Sequence, residues 1–380
     1  MRREERLIQL KKERDSGIEL LRIFAMLLVI GVHAFSYGGF YAAARGVGGH
    51  VASAALLMKL ATRPAVNIFV MITGFFMIHV PFDLKKNLRR TGRTYQKMLF
   101  YDVALTAVFL CLGPSFWVDH EETLSLWRVI AKGLLPVTSQ TWYFLTDYLL
   151  LCLLVPFINL SLQQLSKKQF RALAVGLVLF MSVWMTLIHI RPFSLVFQSF
   201  GYAEMVRAKE LFHFIFIYIV GAYLGTVSKK RSRPRVIYLC GALLSLLCNY
   251  LLYTRLPTVF GWKDVAIHYA NPLLVLCAVM LVLFFKDLHF HSRIVNTLAG
   301  TTLGVYALTE FRFVRPILWD IVNFKKFDNT NLWLNFLHVA LVVCGVFLAA
   351  AAVDLLVGFG IQGLKSAKEK IKIKKVRQSS

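Results

Sequence analysis

Arg22 and His33 stand eleven residues apart in GIELLRIFAMLLVIGVHAFSY, an otherwise apolar run from Gly17 to Tyr37 that also carries Glu19. A guanidinium binds phosphates and carboxylates through charge-assisted hydrogen bonds, and an imidazole exchanges protons near neutral pH. At ~100° and 1.5 Å per residue of helix, eleven residues return to within about 20° of the same direction and cover roughly 16.5 Å. Both side chains therefore share one face of a helix at two depths. An ionisable group at the centre of a membrane-spanning helix costs at least about 2.5–3.5 kcal/mol, so its default meaning is functional. Snorkelling would account for Arg22 alone, and a hydrogen bond to a neighbouring helix for His33 alone. Together on one stripe they point to a site.

The elements that must position these groups are membrane helices. The chain has 380 residues, 57% hydrophobic and 14% aromatic, with mean hydropathy +0.61, which is the composition of an integral membrane protein. A spanning helix needs about 20 apolar residues. After Gly17–Tyr37, apolar runs occupy Pro64–Val80, Met98–Gly113, Trp142–Leu162, Phe170–His189, Leu211–Thr226, Val236–Tyr253, Tyr269–Phe285, Leu298–Leu318 and Leu334–Val357. The expectation is an all-α polytopic bundle of about ten spans. It divides into a basic lead (1–16), a membrane domain (17–360) and a basic tail (361–380). The first run is too long for a signal-peptide core and is expected to stay in the protein.

Net charge is +24, but the basic residues lie in short tracts between apolar runs, which argues against a nucleic-acid partner. Positive loops stay cytoplasmic. With the amino terminus inside, inner segments hold 29 of the 44 Lys and Arg and outer segments 10, while Arg22, Lys59, Arg63, Arg312 and Arg315 lie in or beside spans. This distribution predicts both termini inside and the tail KSAKEKIKIKKVRQSS against anionic lipid. Arg22 then lies near the inner face beside the basic loop DLKKNLRRTGRTYQK, with Arg90, Arg93 and Lys97. His33, Arg63, Asp147, Glu310 and Arg312 fall in the outer half. The six cysteines have no paired or metal-type spacing, and His289 with His291 lacks further ligands, so no metal site is expected.

From Arg22 and His33 onward the chain resembles the integral-membrane acyltransferase-3 family, whose first span carries an Arg, ten residues, then a His. AVNIFVMITGFFM is similar to its second-span segment, with Thr73 in the place of a serine before Gly74. Arg90 and Arg93 match its Arg-x-x-Arg. TWYFLTDYLLLCLLVPFINLSLQQLSKKQF and FHFIFIYIVGAYLG resemble the fourth and sixth spans of polysaccharide-modifying members from Gram-positive bacteria. LGVYALTEF departs from many members by placing Thr309, with Glu310 beside it, where they carry a His.

The resemblance implies a ten-helix bundle in the bacterial cell membrane. It also implies transfer of a short acyl group, commonly acetyl from acetyl-CoA, to a hydroxyl of a cell-surface polysaccharide or its lipid-linked precursor. On that reading Arg22, Arg90 and Arg93 would hold the acyl-CoA phosphates. His33 would act as general base or transient acyl carrier, oriented by Asp147 or Glu310. The alternative class is a multi-pass transporter or glycan-export protein using the same buried charges as a path. The acyl group, the acceptor glycan and the oligomeric state stay open at this stage.

Overall fold

The computed structural model describes residues 16–113, 126–139, 141–190, 211–227, 234–256, 262–322, 324 and 331–378; the basic lead 1–15 lies outside them. Every regular element among these residues is helical. In chain order they are α1 (Ser16–Ser36), α2 (Phe40–Val47), α3 (Gly49–Thr62), α4 (Ala65–Met77), α5 (Leu84–Leu112), α6 (Leu126–Leu134), α7 (Tyr143–Gln163) and α8 (Lys167–Val178). A π-helical turn (Leu179–Trp184) leads to α9 (Met185–His189). Then come α10 (Leu211–Val227), α11 (Arg235–Arg255), α12 (Trp262–Val265), α13 (Pro272–Lys286), α14 (Arg293–Thr309), α15 (Val314–Val322) and α16 (Leu332–Gln378).

Seven helices among the described residues are long and apolar enough to cross a membrane, and α10 and α13 are shorter apolar helices. The count differs from the ten runs for a local reason. The run Leu298–Leu318 is two helices, α14 and α15, separated by Glu310–Phe313. Pro316 cannot donate to the carbonyl of Arg312 and its ring crowds it, which favours a break at this point. The second span is longer than the sequence suggests, because α3 and α4 form a 29-residue unit with Pro64 inside it. The basic loop is also helical: Asp83 caps α5 by accepting from the Lys86 amide at 2.8 Å, and DLKKNLRRTGRTYQK becomes that helix's opening turns. α16 runs unbroken to Gln378, so the stretch read as a tail continues the last helix.

α1 is the shared wall of two apolar cores. Ile18, Leu21 and Ala25 pack with α4, α10 and α13, whereas Met26, Ile30, Ala34 and Phe35 pack with α14 and α16. Ser16 anchors its start, donating to Asn296 Oδ1 and accepting from the Ser292 amide, both at 2.9 Å. The outer helices expose apolar side chains: Leu243 and Leu244 of α11 are 58% and 59% exposed, and Leu356 of α16 69%. Such surfaces suit lipid, where backbone groups must already be satisfied within the helix.

Proline and polar side chains are paired across helices. Pro156 of α7 leaves the Cys152 carbonyl without its helical donor, and the Asn87 amide of α5 donates to it at 2.8 Å. Pro81 likewise cannot continue α4, and Asn159 donates to the Met77 carbonyl at 2.6 Å while accepting from the Tyr218 hydroxyl at 2.6 Å. On α16, Asp354 receives Lys97 at 2.8 Å together with the Tyr101 hydroxyl, packed against Gly304.

α4 and α10 meet backbone to backbone. A methyl at Gly221 would strike the Met71 backbone, and one at Gly74 the Tyr218 carbonyl. This is small-residue packing of the G-x-x-x-G kind, here Gly221 and Gly225. Gly221→Leu is expected to cost about 1–3 kcal/mol or more. Gly300→Leu, where nothing lies within 4 Å, should be tolerated. Thermal unfolding of the two detergent-purified variants checks this; equal transitions would contradict the packing.

Candidate active site

A cavity of about 280 Å³ lies between α1, α4, α5, α7, α14 and the start of α13. Arg22, Met26, Val29 and His33 line it from α1, the stripe that eleven-residue spacing predicts. Arg90 of α5 joins from the Arg22 end. Between the two ends the wall is aromatic: Phe69, Phe144, Tyr148 and Tyr306, with Tyr143 and Tyr269 hydroxyls 3.4 Å apart. The arrangement is a channel-like chamber with cations at one end and an imidazole farther along.

The two cations differ. Arg22 donates to both oxygens of Glu19, at 3.1 and 3.0 Å, one turn back on the same helix, and Glu19 is buried. Its charge is therefore internally compensated. Arg90 has no carboxylate within ion-pair distance among the described residues. It borders the main cavity and two smaller cavities that Asn87 and Met77 also line. Arg93, one turn on, is exposed and lines none of these. Sequence reasoning grouped Arg90 with Arg93 as one pair. Three residues of helix leave them only about 60° apart, but Arg93 lies one turn nearer the middle of α5 with its side chain exposed.

His33 meets a carboxylate. Its Nε2 lies 3.1 Å from Glu310 Oε2, and Glu310 is only 5% exposed. The break after Thr309 puts Glu310 in a turn rather than on a continuing helix face. Arg315 Nη1 lies 3.8 Å from the same carboxylate oxygen and its guanidinium sits 4.4 Å over the Tyr37 ring. Tyr37 stacks in turn on His33, with ring centroids 5.4 Å apart at 9°. Glu310, Arg315 and Tyr37 thus form a closed circuit of contacts with the imidazole. Asp147, the other carboxylate expected near His33, is half-buried on α7 and is not among the side chains lining the cavity. Arg312 turns to another cluster, donating to Thr106 at 3.2 Å and lying 3.9 Å from the fully buried Asp102.

Sequence reasoning missed the tyrosines. Tyr143 and Tyr306 lie inside the Trp-Tyr-Phe and Gly-Val-Tyr stretches, which offered a signal, while Tyr269 follows a loop and has no periodic cue. Thr73 was seen only as a serine substitute. Its hydroxyl donates to the Phe69 carbonyl at 3.1 Å and lies 3.3 Å from the Tyr148 hydroxyl. The described residues hold no group of three metal-ligating side chains.

The helical membrane bundle thus encloses a chamber with two guanidinium groups at one end and an imidazole beside a buried carboxylate farther along. The chain belongs to the acyltransferase-3 family: the family's acyltransferase-domain model matches residues 15–355. It is also similar to an Enterococcus faecalis protein called an amino-acid racemase, with 24% identity over 359 residues, covering 90% of this chain and 47% of that protein. The chain thus spans about half the length of that curated relative. No solved structure matches.

The His33–Glu310 pair generates a stability test. Leu at 33 alone leaves a buried carboxylate with Arg315 as its remaining partner, expected to cost about 3–5 kcal/mol. The double variant His33→Leu/Glu310→Leu should recover much of that loss. Denaturation midpoints of the purified single and double variants measure the coupling, and simple additivity would mean that the pair is not coupled.

Proposed function

We propose that the protein is a membrane O-acyltransferase. It moves acetyl or another short acyl group from cytoplasmic acyl-CoA to a hydroxyl of a cell-surface polysaccharide or its lipid-linked precursor. On this reading it is a multi-pass protein of the bacterial cytoplasmic membrane with both termini inside. The observation that carries the proposal is a single cavity bordered by Arg22 and Arg90 at one end and by His33, with Glu310 behind it, along the same helix face.

The donor's phosphates would meet Arg90 first, since its charge is not already matched, with Arg22 shared between Glu19 and the ligand. The acyl-bearing arm would run past the aromatic wall toward His33. With the Nε2 proton turned toward Glu310, the imidazole lone pair would fall on Nδ1, which would take the acceptor hydroxyl's proton as its oxygen attacks the thioester carbonyl. The C–S bond then breaks, and the departing thiolate recovers the proton from the imidazolium. Charge on the carbonyl oxygen would be met by the Tyr143–Tyr269 hydroxyls. Thr73 and Thr302 spend their hydrogens on the carbonyls of Phe69 and Ala299. A route in which His33 itself carries the acyl group uses the same parts.

His33→Ala is expected to abolish acylation of surface glycan while the protein still inserts at normal levels; equal acylation would remove His33 from the chemistry. Arg90→Ala should raise the donor KM by about ten-fold or more, Arg22→Ala should act in the same direction, and Arg93→Ala should change it little. Radiolabelled acyl-CoA turnover by the purified enzyme measures all three. Solute uptake into vesicles without acyl transfer would favour a transporter instead.

A further inference from the structure

A second cavity, of about 730 Å³, opens between the ends of α4, α7, α8 and α10, away from His33. Its floor is apolar, with Leu162, Val227 and the rings of Phe170 and Tyr223, which meet edge to face with centroids 5.5 Å apart. Its rim is cationic: Lys167, Lys168 and Arg171 all line it from the first two turns of α8.

The charge placement runs against helix electrostatics. A helix N-terminus carries the positive end of the dipole and is normally matched by Asp or Glu. The first turn of α8 has no acidic residue, and its capping box is the neutral pair Ser166 and Gln169. Lys167 and Arg171 repel each other at four-residue spacing. None of the three cations has a carboxylate within ion-pair distance among the described residues. Anchoring by positive charge accounts for basic residues at this end of the bundle. It does not account for their grouping round the mouth of an apolar cavity, which calls for an amphiphile with an anionic head.

We propose that this cavity binds an anionic phospholipid of the inner leaflet. Its phosphate is held by Lys167, Lys168 and Arg171, and an acyl chain lies over Leu162, Phe170 and Val227. Basic pockets between membrane helices at the cytoplasmic boundary recognise such headgroups, and the apolar floor supplies affinity that a soluble phosphate cannot use. The site is independent of the chemistry at His33.

The test is native mass spectrometry of the full chain in detergent, titrated with phosphatidylglycerol and with phosphatidylcholine. Wild type is expected to retain phosphatidylglycerol in preference. K167Q/K168Q/R171Q should bind it about ten-fold more weakly, while the control K85Q/R89Q/R235Q, which removes three exposed cations elsewhere, binds as wild type. Val227→Trp, which fills the floor and leaves the cations in place, should also weaken retention. Equal retention of both lipids, equal loss in the control, or displacement of the lipid by coenzyme A or inorganic phosphate would each overturn the proposal.

Discussion

The 3.1 Å contact between His33 and the buried Glu310 is the constraint on which the site's architecture depends. A carboxylate that is 5% exposed in a membrane bundle is tolerated only with a partner. The imidazole and, at 3.8 Å, the Arg315 guanidinium supply it. That geometry requires the chain to give up a continuous span, because Glu310 reaches inward from the turn between α14 and α15. Pro316 favours the interruption, and the turn also brings Arg315 over Tyr37 and so back to the imidazole.

A chamber beside α1 follows from how tightly α1 is held elsewhere. A methyl on Gly17 would strike the Phe285 and Leu288 carbonyls, and one on Gly31 the Thr62 side chain, so both ends of the helix are clamped by close approach. Alongside those clamps the stripe Arg22–Met26–Val29–His33 faces a gap walled largely by rings. Asn87 and Asn159 hold α4, α5 and α7 at fixed positions, Asn87 by occupying the carbonyl that Pro156 leaves without its helical donor and Asn159 by sharing the Met77 carbonyl with the Val80 amide. The polar side chains near the cavity therefore brace its walls as well as line it.

The family match over residues 15–355 takes in nearly all of this architecture, including the Lys97–Asp354 clamp that ties α16 to α5. The longer Enterococcus faecalis relative carries the name of a different reaction, and this chain covers 47% of it. Membership in the family rests on the membrane body, and its chemistry is argued from the cavity.

Much of this was legible in the residues. Composition alone established a helical membrane protein, and helix geometry alone put Arg22 and His33 on one stripe, because 3.6-residue periodicity is a local property of the backbone. What lies across the gap was not legible. Nothing in spacing distinguishes Glu310 from Asp147 as the partner of His33, since that depends on where Pro316 breaks a helix and which way the turn then points. Arg90 and Arg93 look equivalent in the chain and part only when a supposed loop winds into α5. The cavity's tyrosines come from α7, the turn before α13 and α14, segments more than a hundred residues apart in places. Local sequence decides which face a side chain occupies, whereas packing between distant segments decides what that face meets.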